Sequence, residues 1–86
     1  MEKLAELLTE LTTNLVDHPN IVSVKILPSV ADGEHTRFEV HVAPGDLGQA
    51  IGKEGRLANA MRVLIKSAAQ KHNLGRVLVE FKEAKT

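Results

Sequence analysis

The last strand-like run of this chain, in which Val77, Val79 and Phe81 alternate with Leu78, Glu80 and Lys82, follows two helical segments instead of a turn. A strand that re-enters its sheet after two helices most simply arrives parallel, by a right-handed crossover. Two earlier runs, Val22, Val24, Ile26 and Phe38, Val40, Val42, also alternate with polar residues, so both read as half-buried strands. The link between them, residues 28–36, holds Pro28 and the turn signal Asp32-Gly33, which predicts an antiparallel hairpin with a long, mobile tip. One antiparallel and one parallel pairing then make a three-stranded mixed sheet.

Three helices fit around these strands. Leu4, Leu7, Leu8, Leu11 and Leu15 recur at helical spacing and predict a one-sided helix over residues 2–16, ended by Pro19. Pro44 suits the first turn of a short helix, with Asp46 near its positive end and Leu47, Ala50 and Ile51 as its apolar side; Gly52 stops it. Residues 56–72 predict the longest helix, whose apolar positions Leu57, Ala58, Ala60, Met61, Leu64, Ile65, Ala68 and Ala69 span roughly half the circumference. A stripe that wide needs a second neighbour besides the sheet, either the first helix or another protein. The expected fold is a two-layer α+β sandwich in the order α-β-β-α-α-β, with all helices on one face.

An 86-residue chain makes one domain, with a core that buries roughly 60–65% of the unfolded surface. The expected domain is the whole chain, 1–86, with a short polar tail at 83–86. The absence of cysteine excludes a disulfide framework, a thiolate zinc site and a cysteine nucleophile. The opening Met1-Glu2-Lys3-Leu4 runs straight into the amphipathic pattern, and no run of about twenty apolar residues occurs. Neither export nor membrane insertion is expected, and the cytoplasm is the expected address.

With 11 basic and 11 acidic side chains, the chain is not an electrostatic glove for nucleic acid, so any such site must be local. With two Phe and no Tyr or Trp, it cannot read bases mainly by aromatic stacking. The four histidines, His18, His35, His41 and His72, lack metal-ligand spacing, and Ser23, Ser29 and Ser67 sit in no nucleophile motif. No catalytic residue, metal or cofactor is assigned.

The local site is Ala50-Ile51-Gly52-Lys53-Glu54-Gly55-Arg56-Leu57, where two glycines and two cations break the chain between helices. Glycine allows positive φ and close backbone approach, and the start of the next helix adds N–H donors and a positive dipole end. A Gly-x-x-Gly string alone means little, because about a third of one such pair is expected by chance at this composition. Gly45-Asp46-Leu47-Gly48 has the same spacing, but its internal acid and missing cation mark it as a helix's first turn.

A helix, a Gly-x-x-Gly loop and a second helix within the order α-β-β-α-α-β resemble the KH domain of the bacterial type II form. More narrowly, residues 42–56, Val42-Ala43-Pro44-Gly45-Asp46-Leu47-Gly48-Gln49-Ala50-Ile51-Gly52-Lys53-Glu54-Gly55-Arg56, followed by Ala60-Met61-Arg62, are similar to the KhpA (YlqC) family of small single-KH proteins. The resemblance implies that Gly52, Lys53, Glu54 and Gly55 clamp the backbone of about four single-stranded nucleotides. It implies an apolar groove flanked by Ile51 and Leu57, with the middle strand, Phe38 to Val42, as its far wall. Arg56 and Arg62 complete the RNA-binding set. Glu54 repels a phosphate unless it points toward Lys53 or Arg56. The resemblance also implies a homodimer, pairing with a larger KhpB (Jag/EloR)-like RNA-binding protein, and an RNA-chaperone or post-transcriptional role. Val63 and the Ala58/Ile65 edge are the candidate contact points. The competing readings are a protein-protein adaptor with little RNA affinity and a ribosome-assembly factor.

Overall fold

The computed structural model describes residues 2–28 and 35–84. Helix α1 (Glu2–Thr13) is followed by a 3₁₀ turn at Pro19–Ile21, strands β1 (Ser23–Pro28) and β2 (His35–Val42), helix α2 (Leu47–Ile51), a 3₁₀ turn at Lys53–Gly55, helix α3 (Arg56–Lys71) and strand β3 (Arg76–Glu83). The sheet order is β1-β2-β3, antiparallel between β1 and β2 and parallel between β2 and β3. This is the α+β order expected from the periodicities. The expected hairpin tip lies outside the described residues.

The alternation of the strands builds the core directly. Phe38 pairs with Ile26 and Val79, and Val40 with Val24 and Phe81, so one face of the sheet is apolar across all three strands. Against it lie Leu4 and Leu8 of α1, Ala50 of α2, and Met61, Ile65 and Ala69 of α3. α1 packs on β1, whereas α2 and α3 pack on β3. Thr12, fully buried between the helices, donates its hydroxyl to Met61 Sδ at 3.9 Å.

Helix α1 stops three residues before the expected Val16. Thr13 Oγ1 and Asn14 Nδ2 both donate to the Glu10 carbonyl, at 3.0 and 2.8 Å, and Leu15 N–H turns back to Thr12. Short polar side chains that compete for backbone acceptors end helices in this way. Leu15 and Val16 still pack on the core from the following turn. At the other end of the chain, β3 runs through Glu83 into the stretch read as tail, and Ala84 N–H donates to the Val42 carbonyl at 2.7 Å.

The apolar stripe of α3 divides in two. Ala58, Met61, Ile65 and Ala69 are buried, so the Ala58/Ile65 edge belongs to the core and is not available to a partner, contrary to expectation. The exposed large apolar side chains of this helix are Leu57, Val63 and Leu64. The second neighbour required by the wide stripe is α1, but only for part of its width.

Candidate nucleic-acid interface

Three anchors set α2, and with it the loop that follows. Asp46, just before α2, is buried, and its Oδ2 accepts the backbone N–H of His18 at 2.9 Å and faces His18 Nδ1 at 3.0 Å. Gln49 exchanges hydrogen bonds with Asp17, and Gly45 N–H donates to Glu83 Oε2 at 3.1 Å. The residues after α1 and the end of β3 thereby fix where α2 starts. Its acid was expected to complement the helix dipole; its larger role is this tie across the fold.

Gly52 ends α2 at φ 79°, ψ 173°, a backbone region open essentially to glycine alone. A Cβ there would also fall 2.7 Å from Leu57 Cγ. Glu54 and Gly55 follow in left-handed conformations, at φ 57° and 75°. Within the bend, Gly52 N–H bonds to Gly48 and Gly55 N–H to Gly52, while Arg56 N–H reaches Lys53. The chain thus reverses in four residues and delivers Lys53 and Arg56, both exposed, to the head of α3.

Glu54 points toward Arg56, its Oε2 lying 3.8 Å from Arg56 Nη2, with both side chains largely exposed. The acid inside the loop is therefore directed at a cation. Ile51 is half-buried and Leu57 exposed on either side of the bend.

The far wall of the groove differs from the expected one. Phe38, Val40 and Val42 are completely buried beneath the helices and present nothing to a ligand. The strand beside α2 and α3 is β3, an edge strand of the sheet. Arg62 reaches it from α3: Nε donates to the Val79 carbonyl at 3.2 Å, Nη1 donates to Asn59 Oδ1 at 3.1 Å, and the guanidinium lies 5.8 Å from the centre of the Phe81 ring. Asn59 Nδ2 in turn lies 3.9 Å from where a Cβ on Gly55 would stand. A line of polar groups, Gly55, Asn59, Arg62 and the β3 edge, so descends from the loop. Asn59 and Phe81 were not singled out from sequence, although the three-residue spacing of Asn59 and Arg62 on one helix was a usable signal.

The opposite face of the sheet carries charge. Glu39, nearly buried, receives Lys82 Nζ at 3.0 Å and lies 3.2 Å from His41 Nε2 and 3.7 Å from Arg37. The hydrogen bond from Lys82, assisted by His41 and by the nearby positive charges, holds its carboxyl below the usual 4.5 against the opposing cost of burial. Arg37 Nε is also 3.3 Å from Glu80 Oε1, close enough to pair but misaligned for a hydrogen bond.

The model of the KhpA/KhpB KH domain matches residues 5–81. The chain belongs to this family. An RNA-binding protein KhpA from Clostridium acetobutylicum is 44% identical over 75 residues, covering 87% of this chain and 95% of the relative. One from Chlamydia pneumoniae is 42% identical over 81 residues, covering 93% and 97%. Among solved structures, the chain resembles Era in complex with MgGDPNP and nucleotides 1506–1542 of 16S ribosomal RNA, with a TM-score of 0.60 and 19% identity over 93% of this chain and 29% of Era. An Aquifex aeolicus Era variant bound to GDP and AlF4 gives a TM-score of 0.61 at 20% identity, covering 94% and 30%. These structural likenesses bear on the fold alone. The family is non-enzymatic, and among the described residues no helix is long and apolar enough to cross a membrane.

Proposed function

We propose that this protein binds single-stranded RNA in the cytoplasm by seating the phosphate backbone on the Gly52–Gly55 loop. The observation that carries the reading is the loop itself: three positive-φ residues within one turn, two of them glycine, at the head of a helix and beside exposed Lys53 and Arg56. The N–H groups of Lys53 and Glu54, at the start of a 3₁₀ turn, face the phosphate, together with the first turn of α3. Ile51 and Leu57 flank the bases. Arg62, held between Asn59 and β3, lines the groove instead of reaching freely into solvent.

One clamp of this size neutralises about two or three phosphates and binds weakly, so pairing supplies useful affinity. Leu57, Val63 and Leu64 leave an exposed apolar edge on α3, which supports a homodimer or a complex with a KhpB-like RNA-binding partner. In either assembly the protein acts as an RNA chaperone or post-transcriptional regulator. The same apolar edge supports the adaptor reading, in which partner binding persists without RNA.

The deciding experiment is fluorescence anisotropy on short single-stranded RNA, with wild type and a Gly52→Asp/Gly55→Asp variant checked for folding by circular dichroism, or, where the glycine pair unfolds the domain, a Lys53→Ala/Arg56→Ala variant in its place. Saturable binding that salt weakens and the variant loses is the expected result. Equal binding by both proteins, or none by either, would overturn the clamp and leave the adaptor.

A further inference from the structure

The stretch from Gly55 to Val79 contains Arg56, Arg62, Lys66, Lys71 and Arg76 and no Asp or Glu, in a chain whose 11 basic and 11 acidic residues balance overall. A helix face charged only for solubility mixes both signs. Three of these cations lie on one side of the molecule. Arg62 bonds to the edge of β3, and Lys66, four residues further along the same face of α3, lines a groove with Gln70, Asn73, Gly75, Arg76 and Val77. That groove, between the second half of α3 and the first residues of β3, has a volume of about 490 Å³. Its polar groups are two exposed cations and two side-chain amides, a donor-rich set suited to phosphate and to base edges.

The groove's shape is fixed by the end of α3. Leu74 N–H reaches back to the Ala69 carbonyl and Asn73 N–H to Gln70, with Asn73 itself left-handed at φ 57°. The Ala69 and Gln70 carbonyls are thereby occupied and do not confront an incoming phosphate.

We infer that the RNA strand does not end at the loop but continues along the outer edge of β3 into this second groove, where Lys66 and Arg76 hold a further phosphate and Gln70 and Asn73 address its base. The inference rests on the clamp reading above. Lys66 lies about 16 Å along the helix from Gly55 at 1.5 Å per residue, so only a strand that extends beyond the loop reaches it.

The test compares four- and eight-nucleotide single-stranded RNAs on wild type, a Lys66→Ala/Arg76→Ala variant and the Gly52→Asp/Gly55→Asp variant. Both Lys66 and Arg76 are exposed, so the alanine variant folds, and urea unfolding verifies it. The expected result is unchanged affinity for the short RNA and a loss for the long one. One phosphate fewer lowers the salt slope by about 0.7, so the wild type's advantage on the long RNA shrinks about 2.6-fold between 50 and 200 mM salt. A Lys66→Arg/Arg76→Lys variant restores it. Unchanged binding of the long RNA, or equal weakening of both lengths, overturns the second groove. Retention of the short RNA by the Gly52→Asp/Gly55→Asp variant overturns the clamp, and with it this inference.

Discussion

Alanine at Gly52 and at Gly55 separates a steric demand from a conformational one. At Gly55, φ 75° is left-handed, but an added Cβ meets nothing nearer than Asn59 Nδ2 at 3.9 Å, so the substitution costs only the backbone preference, about 1–2 kcal/mol. Gly52 adds a collision to a worse conformation. Its φ and ψ cost about 1–3 kcal/mol for a non-glycine residue. The new Cβ would also lie 2.7 Å from Leu57 Cγ and 3.0 Å from its Cβ and Cδ1, forcing Leu57 to move at about 1–3 kcal/mol. Gly52→Ala is therefore expected to lose roughly 2–6 kcal/mol, a large share of the 5–15 kcal/mol typical of a whole domain. In urea unfolding, with a slope near 1 kcal/mol/M for a chain of this size, the midpoint falls by about 1–2 M for Gly55→Ala and about 2–6 M for Gly52→Ala. Adding Leu57→Ala to Gly52→Ala removes the contacts to Cγ and Cδ1 but keeps the one to Cβ, so part of the loss returns. Equal losses at the two glycines, or no recovery from Leu57→Ala, would refute the geometric account.

Three further outcomes follow from the contacts. Asp46→Ala strands the His18 N–H and removes a carboxylate acceptor, for an expected loss of about 1.5–3 kcal/mol by urea unfolding, with His18→Ala costing less because its backbone bond survives. Glu39 has a lowered folded pKa, so its network contributes fully above the ordinary carboxylate value of 4.5 and the contribution is lost as pH falls through the folded value. The stability gap between wild type and Lys82→Ala should accordingly be wider at pH 7 than at pH 3; a gap that does not change with pH contradicts it. Glu54→Gln frees Arg56 from its exposed ion pair and removes a repulsive charge, and anisotropy should show RNA binding tighten by up to about fivefold, the range of a surface pair. Weaker binding would mean that Glu54 supports the loop instead of competing with phosphate.

The element order was legible because the two periodicities never overlap: period-two runs at 22–26, 38–42 and 77–82 stand apart from the leucine- and alanine-rich helical ones. The loop was legible as well, since Gly52 and Gly55 interrupt two helical patterns and cations flank them. What the sequence concealed depended on neighbours distant in the chain. Glu39 reads as one more exposed acid on an alternating strand; its partner Lys82 on β3 is brought beside it by a register that no local pattern specifies. Asp46 reads as a dipole partner because His18 belongs to another loop. The groove wall was misassigned to β2 because apolar alternation says which face a strand buries but not which strand lies beside α2 and α3. α1 was overextended because the leucine spacing continues past Thr13 while Thr13 and Asn14 bond back to the backbone.

The acid-free run through α3 into the first residues of β3 has its counterpart in α1, where Glu2, Glu6 and Glu10 project from a helix seated over β1, on the other flank of the sheet. A molecule with no net charge thus carries a run of cations along α3 and a row of acids along α1. Such a body exerts little pull on a distant polyanion, and beyond about 8 Å at physiological salt even its local field is screened. Within that distance the field acts as a torque: α1 repels a phosphate strand and the loop side attracts it. Wrong approaches are turned away at encounter, by repulsion as much as by attraction. Orientation comes without the large positive excess that would hold the protein on any polyanion it met.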